Sequence, residues 1–336
     1  MTGSIVRQSI VYGMSMQVRM KYIIQIIEVF IIILIVTLSI YAYNQVETLN
    51  IMKSNASVER RYHVALVSDT VESYGTDQFL QGIQGSLKDF DAVLETYDAQ
   101  STSLEAIFDM ILLTDVDGVI LKLDHNAAVA QWIDRLKSEG IFVVTVGNDA
   151  PNTGRDVYVG TNKYNMGKQA SKIALSLFPN ENVDVGVVLG PEYEQGETSS
   201  PNNFLGGIYD TIGEASAGAV AFVGYSQQMR AEIIVDDILK HFPSVGVVIC
   251  TDPVDAVRTA RVLVDKNKVG ALKIIAGGET PELDDSLNQG IISATLIEDY
   301  QQLGYMSISY LSQLLKGEEI TSYVNIPIEI RLPNAE

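Results

Sequence analysis

From residue 62 onward the chain alternates two kinds of segment. Short, unbroken apolar runs such as "YHVALVS", "GVILKL", "IFVVTVG", "DVGVVLG" and "VGVVICTD" alternate with longer stretches in which apolar residues recur every three or four positions. The first kind predicts strands buried on both faces, and the second predicts amphipathic helices. In "TDQFLQGIQGSLKDF", for example, Phe79, Leu80, Ile83, Leu87 and Phe90 fall on one helical face. Gly140 ends "AAVAQWIDRLKSEG" where a helix C-cap is expected. The strand–helix series runs to "IFVVTVG" and then begins again at "NMGKQASKIALSLF", continuing through "AVAFVGY", "AEIIVDDILKHF" and "VDAVRTARVLVDK" to "ALKIIAGG". Such alternation predicts parallel sheets covered by helices, and so many strands divide more readily into two sheets than one. A break near 158–162 gives two α/β lobes of similar size. The tail, "IISATLI", "YQQLGYMSISYLSQLL" and "SYVNIPIEIRL", supplies elements that cross back between them.

The region before 62 reads differently. Residues 22–43 are apolar except for Gln25, Glu28, Thr37 and Ser39. As a helix they would span about 33 Å, close to one hydrocarbon core. Arg7, Arg19 and Lys21 precede the run and Glu47 is the first charge after it. This asymmetry predicts a cytoplasmic N-terminus (1–21), an uncleaved transmembrane anchor (22–43), a polar stalk (44–61) and an extracytoplasmic body (62–331). A cleaved leader would have a shorter apolar core ending in small residues, whereas "IYAY" closes this one. Glu28 inside the run points either to snorkelling or to a partner helix. Asn55-Ala56-Ser57 matches a glycosylation sequon, a pattern too short to carry weight.

Charge and composition narrow the function. The net charge is −19, but residues 1–61 carry six Lys or Arg against three Glu, leaving 17 basic against 39 acidic residues in the body. A body of that sign repels nucleic-acid phosphates and anionic lipid headgroups. Cys250 is the only cysteine, so neither an intramolecular disulfide nor a Cys-based zinc site can form; its apolar run predicts a buried thiol. The three histidines, His63, His125 and His241, stand apart from any nucleophile pattern. No HExxH, GxSxG, Walker or post-strand GxGxxG sequence occurs. The expectation is a protein that is not an enzyme and carries no cofactor or metal. A secreted α/β hydrolase is the remaining catalytic alternative.

In open parallel sheets ligands sit beyond the carboxyl ends of the strands. Here those ends place Ser68, Asp69, Asp98, Asp124, Asn148, Thr251, Asp252, Gly278, Glu279 and Glu298 around one gap if the lobes face each other, with Tyr74 as a flat face. Amides, hydroxyls and carboxylates with an aromatic ring suit a neutral polyhydroxy ligand. Their net acidity also leaves room for a cationic or metal-bridged one. Asp69, Asp149 and Asp252, and also Asn162, have a plainer role as caps of the following helices.

The order and spacing of "HVALVSDTVESYGTDQFLQGIQG", "IFVVTVGNDAP", "YVGTNKYNMGKQAS" and "GIISATLIEDYQQLG" resemble the type I periplasmic-binding-protein superfamily, in its ribose-binding-protein-like, sugar-binding branch, over 62–331. The resemblance implies two doubly wound parallel-sheet lobes joined by a multi-strand hinge: lobe 1 about 62–160 plus 299–316, lobe 2 about 161–298 plus 318–331. It implies ligand contacts at Ser68, Glu72 and Tyr74, at Asn148, at Asn202 or Phe204, at Thr251 and Asp252, at Gly278 and Glu279, and at Glu298. Asn148 and Asn202/Phe204 stand where the family often has arginines, and Gly75 stands where it has a second aromatic, which argues against ribose itself and against a carboxylate ligand. The implied function is a membrane-anchored solute-binding protein that closes on a sugar for an ABC importer. A ligand-sensing subunit for a sensor kinase or chemoreceptor is the alternative.

Overall fold

A computed structural model of the chain describes residues 34–41, 61–69, 74–123, 126–179, 181–191, 200–216, 218–226 and 229–333. The side chains of Tyr74, of residues 126 and 127 and of residues 200–203 lie outside that set. Residues 1–61 and 62–336 form two compact units. Of the first, 34–41 is helical with its side chains exposed. The rest of the expected anchor 22–43, with Glu28 and the sequon, lies outside the described residues. Among the described residues no helix is long and apolar enough to cross a membrane.

The second unit holds two six-stranded sheets. The first has the order β11-β5-β4-β3-β1-β2 and the second β12-β10-β9-β8-β6-β7. The strands of the first sheet are β1 (Tyr62–Ser68), β2 (Ala92–Asp98), β3 (Gly118–Lys122), β4 (Phe142–Val146), β5 (Val157–Gly160) and β11 (Tyr323–Asn325). Those of the second are β6 (Asp184–Leu189), β7 (Val220–Tyr225), β8 (Val245–Cys250), β9 (Lys273–Gly277), β10 (Ala294–Glu298) and β12 (Ile328–Arg331). Position for position the two orders match, so the repetition read along the chain is a repetition in space. All pairings are parallel except β10–β12.

Strands buried on both faces send alternate residues into two separate cores. In β1, Val64 and Leu66 enter one apolar layer while Ala65 and Val67 enter the other. In β8, Val247 and Ile249 face one layer, and Val248 and Cys250 the other. Helices α1 (Tyr74–Leu87), α2 (Leu104–Leu113) and α3 (Ala130–Ser138) cover the first sheet. Helices α4 (Lys163–Ser176), α5 (Ser200–Ala215), α6 (Ala231–His241), α7 (Pro253–Asp265) and α8 (Pro281–Asn288) cover the second. The last helix, α9 (Tyr300–Leu315), returns to pack on α1. Each lobe also contains a helix pair held at backbone contact by glycine. A Cβ on Gly304 of α9 would lie 2.0 Å from the Phe79 carbonyl oxygen of α1, and one on Gly167 of α4 would lie 2.1 Å from that of Phe204 in α5.

Among the described residues the chain passes between lobes three times: at 161–162 between β5 and α4, at Asp299 between β10 and α9, and at 326–327 between β11 and β12. The tail therefore divides later than expected. "SYVNIPIEIRL" is two strands in two sheets, because Tyr323–Asn325 pairs with β5, and only the part after Pro327 joins the second lobe. Proline donates no backbone hydrogen bond, which makes Ile326-Pro327 a natural exit from the first ladder. Two of the crossings are tied together. The Asn162 amide N–H donates to the Asn325 side-chain oxygen at 2.9 Å, and the Ile326 N–H donates to the Gly160 carbonyl at 2.9 Å.

Candidate ligand cleft

The carboxyl ends of both sheets border one cavity of about 320 Å³, within the size range of small-molecule sites. From the first lobe come Gly75 and Thr76 at the start of α1, Lys122 and Leu123 after β3, and Val146 to Asn148 after β4. From the second come Lys163 and Met166 of α4, Thr251 to Val254 after β8, Gly278 to Thr280 after β9, and Glu298. Tyr300 and Leu303 of α9 complete the wall.

The chain turns away from the sheet in the same manner in both lobes. Gly147 (φ 75°) and Gly278 (φ 83°) follow β4 and β9 in the left-handed region, which glycine enters without strain. Gly147 N–H donates to the Val159 carbonyl at 3.0 Å and Gly278 N–H to that of Leu296 at 2.9 Å. The Tyr158 hydroxyl donates to the Gly147 carbonyl at 2.8 Å, and burial pushes that phenol's pKa well up. Asn148 and Glu279 are thereby presented to the gap from equivalent turns.

The ionisable groups of the wall are paired more fully than the composition suggests. Glu298 and Lys163 form an ion pair whose side chains are only 11% and 14% exposed. Glu298 ends β10 just before one crossing and Lys163 begins α4 just after another, so the pair links two hinge segments. Glu279 accepts from Arg331 Nη1 at 2.6 Å. Arg331 also donates to Glu329 at 2.7 Å, and these two carboxylates hold its guanidinium pKa raised. Lys122 Nζ lies 5.7 Å from the Phe79 ring centroid, a cation–π contact. The carboxyl of Asp252 is pushed up from its ordinary value, chiefly by burial, while it caps α7 by accepting from the Asp255 N–H at 3.0 Å. The Thr251 hydroxyl accepts from the Gly190 N–H at 2.8 Å and fixes the neighbouring strand end.

Two of the three described wall carboxylates thus already have a cationic partner, so a cationic or metal-bridged ligand loses its main attraction. Among the described residues no group of three or more His, Cys, Asp or Glu side chains could hold a metal ion. Such a wall offers hydrogen-bond donors (Asn148, Lys163) and acceptors (Asn148, Glu279, Glu298) together with apolar residues such as Val146, Met166 and Leu303. That combination serves hydroxyl groups, which both donate and accept.

Six residues predicted from sequence come together here: Asn148, Thr251, Asp252, Gly278, Glu279 and Glu298. Ser68 and Asp69 follow at the carboxyl end of β1 but are not part of the described wall. Phe204 does not face the gap; it is 1% exposed and belongs to the second lobe's core, where its carbonyl meets Gly167. Glu72 and Asp124 lie outside the described residues, as do the side chains of Tyr74 and Asn202, although Tyr74 opens α1 and Asn202 sits in the first turn of α5. Asp149 serves its own loop, accepting from Arg155 Nη2 at 2.8 Å. Sequence reasoning missed Lys163, Thr76, Thr280 and Tyr300. Lys163 and Tyr300 each follow a helix cap, Asn162 and Asp299, at the first residue past a crossing. That position was the available signal.

Two lobes, three crossings and a cleft at the strand ends define a two-lobed α/β binding protein. The family model described as "Periplasmic binding protein domain" matches residues 64–319, and the chain belongs to this family. Among solved structures it is similar to GanP, a glucose-galactose binding protein from Geobacillus stearothermophilus (21% identity, 82% of this chain and 98% of that one, TM-score 0.73). It is also similar to an ABC transporter solute-binding protein from Burkholderia graminis in complex with D-arabinose (18%, 81% and 95%, TM-score 0.72). A third similar structure is the XylFII–LytSN complex (22%, 81% and 98%, TM-score 0.69). At these identities the likeness is one of fold. No curated protein matches the chain by sequence.

Proposed function

We propose that this protein is an extracytoplasmic solute-binding protein, held at the membrane by its N-terminal segment, that closes its two lobes on a neutral sugar and delivers it to an ABC importer. The observation that carries the reading is the cleft itself: polar side chains from both lobes meet across one cavity beside three crossings, with Glu279 and Glu298 already charge-balanced. A ligand that contacts both walls favours the closed form by its differential affinity, and the crossings let the lobes turn without parting. The similarity to GanP and to the arabinose-bound protein supports a sugar over other polyols. A second reading, presentation of the bound form to a signalling partner, is supported by the XylFII–LytSN complex, in which a protein of this fold is joined to another. Catalysis has no comparable support, since the matching family is one of binding proteins and the similar structures are sugar-binding proteins.

A thermal-shift screen of the full-length protein against D-glucose, D-galactose, D-arabinose, D-ribose and inositol tests the reading. A sugar at a hundred times its dissociation constant stabilises the folded state by about 2.7 kcal/mol, a shift of several degrees for a domain this size. No shift with any sugar, or conversion of a sugar to product, counts against it.

A further inference from the structure

Tyr300 is the one aromatic among the described residues of the cleft wall. It is the first residue of α9, immediately after the crossing at Asp299, whose side chain caps the helix by accepting from the Gln302 N–H at 2.8 Å. Tyr300 is half-buried, packs against the first lobe's core and lines the cavity. One side of it rests on the backbone of Gly75 so closely that a Cβ there would stand 2.9 Å from two ring carbons. The helix that carries it lies at backbone contact with α1, because a Cβ on Gly82 of α1 would lie 1.9 Å from the Gln301 carbonyl oxygen. A ring fixed at a lobe crossing, beside the Lys163–Glu298 pair, is an apolar platform next to polar groups. A sugar ring needs that juxtaposition: C–H bonds against an aromatic surface, hydroxyls toward charged partners.

We propose that Tyr300, seated on Gly75, is the aromatic platform on which the sugar ring stacks, and that the absence of a side chain at Gly75 sets its position and hence the choice of sugar. This rests on the sugar reading above. The platform travels with α9 at the hinge, so closure brings the second lobe's Asp252 and Glu279 over a ligand already laid on it.

The test measures affinity of the full-length protein for whichever of D-glucose, D-galactose, D-arabinose and D-ribose it binds, in the parent, Tyr300→Phe and Tyr300→Leu. Phe keeps the ring and Leu keeps only apolar bulk. The expected result is a parent-like constant for Phe and a loss of about tenfold for Leu, with the ligand-free unfolding midpoint of each unchanged. Parent-like binding by Tyr300→Leu, or equal losses in both variants, overturns the platform while leaving the sugar reading intact. Failure of the parent to bind any of the four sugars overturns both. Should Tyr300→Leu lower the ligand-free midpoint, Gly75→Ala decides: it retains the ring but presses on it, so altered affinity or sugar preference supports the proposal and unchanged binding overturns it.

Discussion

Replacing Gly304 by alanine sets two well-measured effects against each other. In an exposed helix interior the change would stabilise by about 1 kcal/mol through backbone entropy. Gly304 is not exposed. Its added methyl would sit 2.0 Å from the Phe79 carbonyl oxygen, 2.9 Å from the carbonyl carbon and 3.0 Å from the Ile83 nitrogen. Ordinary contact begins at about 3.4 Å, so α9 and α1 must part by about 1.4 Å, and backbone atoms cannot rotate aside as a side chain can. The parting opens the layer formed by Phe79, Ile83 and Leu303, each no more than 1% exposed. Overpacking of this kind costs about 1–3 kcal/mol, at the upper end for a backbone clash, so a net loss of about 2 kcal/mol is expected after the propensity gain. Gly213 of α5 supplies the internal control. It is exposed and an added methyl meets nothing within 4 Å, so Gly213→Ala should stabilise. Urea unfolding of the full-length protein measures both. Trp132, the only tryptophan, is stacked on Phe108 at 5.3 Å in the first lobe, so its fluorescence reports the lobe that Gly304 disturbs. A Gly304→Ala protein as stable as the parent by that probe refutes the close-contact reasoning.

Three other outcomes follow from the same geometry. Breaking the buried Lys163–Glu298 pair with Lys163→Met should cost about 3 kcal/mol, by leaving a carboxylate without its partner, and Lys163→Met with Glu298→Leu should cost much less; equal losses in ligand-free urea unfolding contradict the pairing. Because burial raises the folded-state pKa of Asp252 above its unfolded value, its ionisation opposes folding, and the stability it contributes falls as pH rises from the unfolded value through the raised one. Asp252→Asn keeps a capping oxygen and removes that fall, so it should gain on the parent as pH rises above the ordinary carboxylate value of about 4; Asp252→Ala should lose about 1 kcal/mol with the cap. Parallel pH profiles for parent and Asn variant contradict this. Cys250 is fully buried, and its thiol is pushed up to about 12 by burial, so iodoacetamide should leave the native protein unlabelled and label it in urea; prompt native labelling contradicts the packing.

Most of the architecture was legible because strand and helix announce themselves by different periods. Short apolar runs such as that of β1 read as strands buried on both sides, and their second series divided more readily into a second sheet than into an extension of the first. The strand ends then marked the cleft, and Asn148, Asp252, Glu279 and Glu298 were reachable from that rule alone. What stayed hidden depended on the path between elements. Ile326-Pro327 looked like the middle of one strand because nothing local says that the ladder changes sheets there. Phe204 was a ligand contact only as the family resemblance implied it, but the close approach of α4 at Gly167 turns that helix face into core. Lys163 and Tyr300 looked like connectors. A side chain at a crossing takes its direction from both lobes at once, which no single segment encodes. The proposed membrane anchor is an expectation from sequence pattern, length and flanking charge.

Two lobes that grip one sugar without altering it must release binding heat and return the sugar intact. Calorimetric titration of the full-length protein with D-glucose, D-galactose and D-arabinose, followed by chromatography of the recovered sugar, addresses this directly. Saturable heat from a single site is expected for at least one of them, with quantitative return of that sugar unchanged. Absence of heat for all three at millimolar concentration, or a sugar consumed during the titration, contradicts it.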